Sequence, residues 1–221
     1  MSNRLRLITI PVLLAVTACL PDVALETDAQ KASYGIGRNI GNSLVDVQEH
    51  LDMMALMMGV TDALNEMDPA LTDEEIETAL VAFNEMVQES AREQGATEGA
   101  AYLEENAARE GVIVTESGLQ YEVLHEGDGP SPVSGQSVTI HYSGTLPDGS
   151  EFDSSHSRGA PATLDVDAFV SGFSEALKLM RVGGRMRAVI PSDLAYGPDG
   201  RPPLIAPNQV LVFEIELLAV E

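Results

Sequence analysis

The spacing of apolar side chains changes once along this chain, and the change divides it. Ile36, Ile40, Leu44 and Val47 follow one another at steps of four, four and three, which places them along one face of a helix. Ile76, Leu80, Phe83 and Val87 repeat such a stripe, which ends before Gly95. Ahead of it, Thr72-Asp73-Glu74-Glu75 has the form of a capping box, in which the threonine hydroxyl and the Glu75 carboxylate satisfy N–H groups orphaned at a helix start. A last helical stretch is predicted over Glu98 to Arg109, stopping at Gly111. From Asp28 to about Gly111 the pattern is helical throughout.

From Leu119 onward the period is two. Leu119, Tyr121 and Val123 alternate with polar neighbours, as do Val138, Ile140 and Tyr142, the pattern of strands with one face buried. Gly127-Asp128-Gly129-Pro130 and Pro147-Asp148-Gly149 supply turn chemistry between the runs, the second as a hairpin signal. The stretch from Val210 to Leu217 ends in the same alternation. One short helix interrupts the strands, with Phe173, Ala176, Leu177 and Met180 at i, i+3, i+4 and i+7 before Gly183-Gly184. The fold class predicted is α+β, an all-helical amino-terminal part followed by a mostly antiparallel one.

Charge narrows the partners. The 221 residues carry 12 Lys and Arg against 35 Asp and Glu, a net −23. Residues 20–118 hold 4 basic and 21 acidic side chains (−17), and residues 119–221 hold 6 and 14 (−8), so the helical half is the more acidic. A body of that sign repels phosphate backbones, and nucleic acid is not an expected partner.

The first nineteen residues stand apart. Arg4 and Arg6 form a positive start, Leu7 to Val16 an apolar run too short to span a bilayer, and Val16-Thr17-Ala18-Cys19 a small-residue end. The segment 1–19 resembles a bacterial lipoprotein signal, in which cleavage before the cysteine leaves Cys19 to carry lipid. An ordinary signal peptide with an incidental cysteine is the other reading. Cys19 is the one cysteine in the chain, so no intrachain disulfide forms. Leu20 and Pro21 follow with no early aspartate of the kind that resembles an inner-membrane retention signal. A periplasmic location on an outer-membrane lipid anchor is therefore expected if the source has two membranes.

Several motifs lead nowhere. Gly35-Ile36-Gly37-Arg38-Asn39-Ile40-Gly41 misses a dinucleotide fingerprint by one residue of spacing and has no strand before it. Met53, Met54, Met57 and Met58 suit an adaptable packing surface better than a soft-metal site. His50, His125, His141 and His156 show no ligand spacing, and His141 is expected to point outward from its strand. Asp148 to Ser155 lacks the ligand rhythm of a calcium loop. No metal, cofactor or nucleophile set is predicted.

Four separated stretches agree on one family. "SVTIHYSGTLPDGSEFDSS", "GFSEALKLMRVGG", "IPSDLAYG" and "LVFEIELL" occur in the order and spacing of the FKBP-type peptidyl-prolyl isomerases, so residues 117–221 resemble their catalytic domain. Residues 20–116 with "SGLQYEVL" resemble the amino-terminal region of two-domain bacterial members, the macrophage infectivity potentiator among them. The resemblance implies a curved antiparallel sheet wrapped around one short helix, with an apolar cavity between them. It also implies a homodimer through the amino-terminal helices and proline-containing unfolded or nascent polypeptides as substrates. Carried over motif by motif, Tyr142, Phe152, Asp153, Phe173, Tyr196 and Phe213 are the implied catalytic residues. Arg158, Phe169, Val170, Leu204 and Ile205 are implied in substrate binding. Phe173 would form the floor under the proline ring and Tyr196 would hydrogen-bond a substrate carbonyl, while Glu151 and the loop serines would face solvent or make local turn bonds.

This chain departs from the family at three places. Phe173 stands where tryptophan is usual, Ala162 where many members have a wall aromatic, and Arg201 at a rim position that often holds histidine. A competing expectation makes the helical half the working part, a periplasmic holdase with a weak isomerase attached.

Overall fold

The computed structural model describes residues 24–221, so the signal segment and Cys19 lie outside the described residues. The chain divides into two compact units, one ending at Asn65 and one running from Glu66 to Glu221.

In the first unit, α1 (Asp28–Ser43) starts at Thr27, whose hydroxyl accepts from the Gln30 N–H while the Gln30 side chain accepts from the Thr27 N–H. A 3-10 turn (Val45–His50) leads to α2 (Met53–Leu64), which Asp52 caps by accepting from the Met54 and Ala55 N–H groups. The apolar stripe predicted through Leu44 and Val47 outruns the helix. Gly41, Asn42 and Ser43 are poor helix formers, and the Leu44 N–H turns back to the Gly41 carbonyl at 3.1 Å. No residue of these elements is buried, and Tyr34, Ile36, Met53, Met54, Met57 and Met58 all stand exposed.

The second unit opens with α3 (Asp73–Ala107), one helix of 35 residues. Its start is the predicted capping box, with Thr72 and Glu75 satisfying each other's backbone N–H groups. The stop predicted before Gly95 does not occur. Gly95 and Gly99 are buried inside the helix, and a Cβ on Gly95 would lie 2.1 Å from the Pro207 carbonyl oxygen. These glycines let a helix approach another backbone; they do not end it.

Seven strands form one antiparallel sheet: β1 (Val112–Val114), β2 (Gln120–His125), β3 (Ser137–Thr145), β4 (Glu151–Ser154), β5 (Ala162–Asp165), β6 (Arg185–Ile190) and β7 (Leu211–Val220). The order is β1-β2-β6-β7-β3-β4, and β5 lies along the first half of β3 in line with β4. β1 lies just past Gly111, where the helical pattern was expected to stop, and the sequence did not mark it as a strand because three β-branched residues are too few to display a period. The short helix α4 (Ser171–Leu179) packs on the inner face of the sheet. Phe173, Ala176, Leu177 and Met180 are each at most 3% exposed there, beside Ile140, Ala188, Phe213 and Ile215.

The end of α3 docks on the outer face of the sheet. Tyr102 and Leu103 cover Val189, Val210 and Val212. Beside them the Asn106 side chain, 2% exposed, donates to Gln120 Oε1 at 2.7 Å and accepts from Arg187 at 2.7 Å and Arg109 at 3.0 Å. Gln120 donates in turn to the Leu103 carbonyl at 2.9 Å. This docking is why the compact units part at residues 65 and 66 and not near residue 117, where the period changes.

Asn106→Ala would leave Gln120 Oε1 and the Arg187 Nη1 group without their partner at a buried position. Its expected cost is about 2–3 kcal/mol in urea unfolding. An unfolding curve matching the unsubstituted chain would contradict the docking.

Candidate active site

β3 and β7 pair from Val138 to Thr145 with one shift of register between Thr139 and Ile140, and beyond it Tyr142 lies opposite Ile215 and Gly144 opposite Phe213 on the inner face. Gly144 leaves no room for a side chain. A Cβ there would lie 2.7 Å from the Phe152 ring and 2.8 Å from the Phe213 ring, so both rings close over bare backbone. They meet edge to face with centroids 5.5 Å apart.

β4 supplies the polar group through an irregularity. Its register against β3 shifts between Gly144 and Thr145, opposite Phe152, so that residue is extra to the ladder. Phe152 and its neighbour Asp153 both line the cavity, although successive residues of a regular strand point to opposite faces.

Asp153 is fully engaged. Its Oδ2 accepts from the Tyr142 hydroxyl at 2.6 Å and its Oδ1 accepts from Arg158, which also donates to Tyr142 Oη at 2.8 Å. Partial burial pushes the Asp153 carboxyl up, but the hydrogen bonds from Tyr142 and Arg158 and the guanidinium charge outweigh it. The group stays below the usual carboxylate range. Burial first, and then the bond to Asp153, raise the Tyr142 hydroxyl, which stays a donor.

The backbone under this network is itself pinned. Ser155, with no exposed surface, accepts the Tyr142 N–H on its hydroxyl at 2.8 Å and donates its own N–H to the Tyr142 carbonyl at 3.0 Å. The expectation that the loop serines face solvent or bond locally therefore fails at Ser155, which continues the pairing of β3 past the end of β4. His141 is less outward than its place in the alternation suggests. It is half-buried, bonded to the Ser155 hydroxyl at 3.0 Å and stacked on His156 at 4.5 Å.

The cavity holds about 350 Å³ and is lined by Phe152, Asp153, Phe169, Val170, Tyr196, Leu204, Ile205 and Phe213 among the implied residues. Arg201, Pro202 and Pro203 line it as well. The volume is at the lower end for a small-ligand site. Tyr142 and Arg158 stand behind Asp153. Phe173 does not line the cavity. It has no exposed surface and lies beneath Phe169, stacked at 4.8 Å, with Phe213 against its edge at 4.8 Å and Tyr142 at 5.9 Å. The Phe169 ring covers it.

The far wall is a loop, residues 197–208, closed on itself by Arg201 and Ile205. Arg201 N–H donates to the Ile205 carbonyl at 2.7 Å, and Ile205 N–H to the Arg201 carbonyl at 3.1 Å. Helix α3 holds this loop from behind. Arg92 Nε donates to the Pro198 carbonyl at 3.0 Å, and Asn208 Nδ2 donates to the Arg92 carbonyl at 2.9 Å. Nothing in the sequence pattern marked these partners, which lie more than a hundred residues apart. Gly144 could have been noticed as a glycine at an inner-face strand position.

Two family descriptions match the chain. Residues 129–218 match FKBP-type peptidyl-prolyl cis-trans isomerase, and residues 29–123 match the domain amino-terminal to it. The chain is 43% identical to the FKBP-type 22 kDa peptidyl-prolyl cis-trans isomerase of Escherichia coli K12, covering 88% of this chain and 97% of that one. It is 36% identical to the outer membrane protein MIP of Legionella longbeachae, covering 90% and 88%. The crystal structure of FkpA from Escherichia coli superposes with a TM-score of 0.66 at 36% identity, covering 90% of this chain and 99% of that one. With the helical amino-terminal region, the antiparallel sheet around one helix and the matched sequence all in agreement, the chain belongs to the FKBP-type peptidyl-prolyl cis-trans isomerases.

Proposed function

We propose that the cavity takes up the proline of an X-Pro segment in an unfolded or nascent polypeptide and eases rotation about the preceding amide. The observation that carries this reading is an aromatic hollow whose one carboxylate, Asp153, has both oxygens occupied by Tyr142 and Arg158. A carboxylate so engaged orients charge; it is not free to take up a proton.

Rotation about X-Pro meets a barrier of roughly 18–20 kcal/mol because resonance gives the amide double-bond character. Uncatalysed, it takes tens to hundreds of seconds. No bond forms or breaks, so no nucleophile is called for. An acceleration of about 10⁵ corresponds to about 7 kcal/mol of selective stabilisation of the twisted amide. The twisted form has lost charge separation and leaves water at less cost than the planar form, so apolar walls favour it. Phe152 and Phe213 form those walls, and Phe169 takes the floor position with Phe173 supporting it. The Tyr196 hydroxyl donates to a substrate carbonyl, and Val170, Leu204 and Ile205 grip the flanking residues.

A homodimer through the amino-terminal helices fits the same reading. The unit ending at Asn65 buries none of its helical residues, leaving Ile36 at 61% and Met54 at 83% exposed, which is unusual for a folded unit that has no partner. Met53, Met54, Met57 and Met58 would give that face an adaptable surface, suited to holding clients between two copies. A location outside the cytoplasm with lipid on Cys19 would put the enzyme where exported chains fold.

Asp153→Ala is expected to fold and to lose about tenfold in kcat/KM on a proline peptide, the worth of one positioned polar group; full activity would remove Asp153 from the site. Because the Asp153 carboxyl is held low and the Tyr142 hydroxyl high, the network is intact from about pH 5 to 9. Its contribution to stability is present above the ordinary aspartate value and is lost as pH falls through the lowered one. A kcat/KM profile with a step near neutrality would contradict this. Replacing Ile36 and Ile40 together by Asp should turn a dimer into a monomer in light scattering, and a dimer that survives would place the interface elsewhere. Mass spectrometry of the mature amino terminus should find diacylglycerol on Cys19; an unmodified cysteine favours the plain signal peptide.

A further inference from the structure

Each charge at the cavity has an internal partner except one. Asp153 and Arg158 pair with each other, and Tyr142 occupies what remains. Arg201 lines the cavity, yet it appears in none of the ion pairs of the described residues. Its guanidinium lies over the Tyr196 ring, 5.8 Å from the centroid, and donates one long bond of 3.3 Å to Tyr196 Oη. Most of its five N–H donors are left for something else.

The loop has one carboxylate, Asp199, and its ion pair is with a residue other than Arg201. Arg92 of α3 reaches Asp199 at 3.5 Å while donating to the Pro198 carbonyl at 3.0 Å. The clamp on the back of the loop therefore does two things. It fixes the backbone that carries Arg201, and it engages the one acid of the loop.

We propose that Arg201 makes the cavity selective for X-Pro segments carrying a carboxylate, Asp or Glu, beside the proline, with Arg92 as a positioning residue that keeps Arg201 unpaired. A planar guanidinium with free N–H groups is matched to a carboxylate in two-point contact. The chain as a whole, at −23, repels acidic segments. That field is screened over about 8 Å at physiological ionic strength, so contact with Arg201 decides discrimination at the rim. The same bond bears on the reaction. With its oxygen accepting from Arg201, the Tyr196 hydroxyl points its own proton elsewhere, which suits donation to a substrate carbonyl.

This inference rests on the isomerase reading, and the test separates the two. Peptides with blocked, uncharged ends that differ in a single residue, Glu, Gln or Lys, placed before or after the proline, are assayed with the full chain. The Glu peptide is expected to exceed the Gln peptide in kcat/KM by about two- to fivefold on one side of the proline, the worth of an exposed ion pair, with Lys below Gln. The Glu-to-Gln ratio should fall to about one in Arg201→Gln, persist in Arg201→Lys and shrink in about 1 M salt. Arg92→Ala should lower the ratio by releasing Asp199, and the double variant Arg92→Ala, Asp199→Asn should restore it. A ratio of one in the unsubstituted chain on both sides, or a preference that survives Arg201→Gln, overturns the proposal; a ratio unmoved by Arg92→Ala overturns the part assigned to the helix. Failure to accelerate any of the peptides would instead overturn the isomerase reading.

Discussion

Tyr142 joins the two chemistries of the cavity, and its placement constrains everything around it. Its ring packs against Phe169, Phe173 and Phe213, while its hydroxyl serves both Asp153 and Arg158. A tyrosine can do this because it is apolar for most of its length and polar at its tip. The half-exposed Asp153 side chain is tolerable beside so many rings because a donor and a cation are fixed next to it. Ser155 fixes the tyrosine backbone, Gly144 opens space for the adjoining rings, and the extra residue in β4 turns Asp153 inward. These are separate local devices acting on one side chain.

The division of labour among the rings follows from their depth. Phe173 is wholly enclosed and acts as packing, whereas Phe152, Phe169 and Phe213 present surface to the cavity. Aromatic content alone does not separate these roles, since all four belong to one connected cluster. The rim adds a third layer. It is a loop with no regular strand of its own, and its geometry is borrowed from a helix that begins more than a hundred residues earlier. The amino-terminal family region thus reaches the loop of the cavity wall through Arg92, which bonds to Pro198 and Asn208.

Much of the fold was legible because its cues are local. The capping box at Thr72, the alternation in β3 and the heptad-like stripe of α4 each state a structure within a dozen residues, and each element is present. The single helix α3 was not legible, because a glycine that ends a helix and one that lets a helix touch another backbone look alike in sequence. Only Pro207 and Val210 distinguish them. Of the residues implied for the site, most do meet around one hollow, but the sequence could not tell Phe173 from Phe169 as the ring that faces it. Depth in a packed cluster depends on neighbours contributed by other elements. Ser155, Arg92 and Asn208 escaped for the same reason, since their partners are distant and their own surroundings read as loop or helix surface.

In the proposed reading, apolar walls, steadied by an ionised and fully paired carboxylate, lower the barrier to proline amide rotation without moving a proton. Exchange spectroscopy by NMR on an uncharged X-Pro peptide, run with catalytic amounts of the full chain in water and in deuterium oxide, tests it directly. Cis and trans forms are expected to interconvert faster than in buffer and by the same factor in both solvents. No acceleration, or an acceleration that weakens in deuterium oxide, would contradict it.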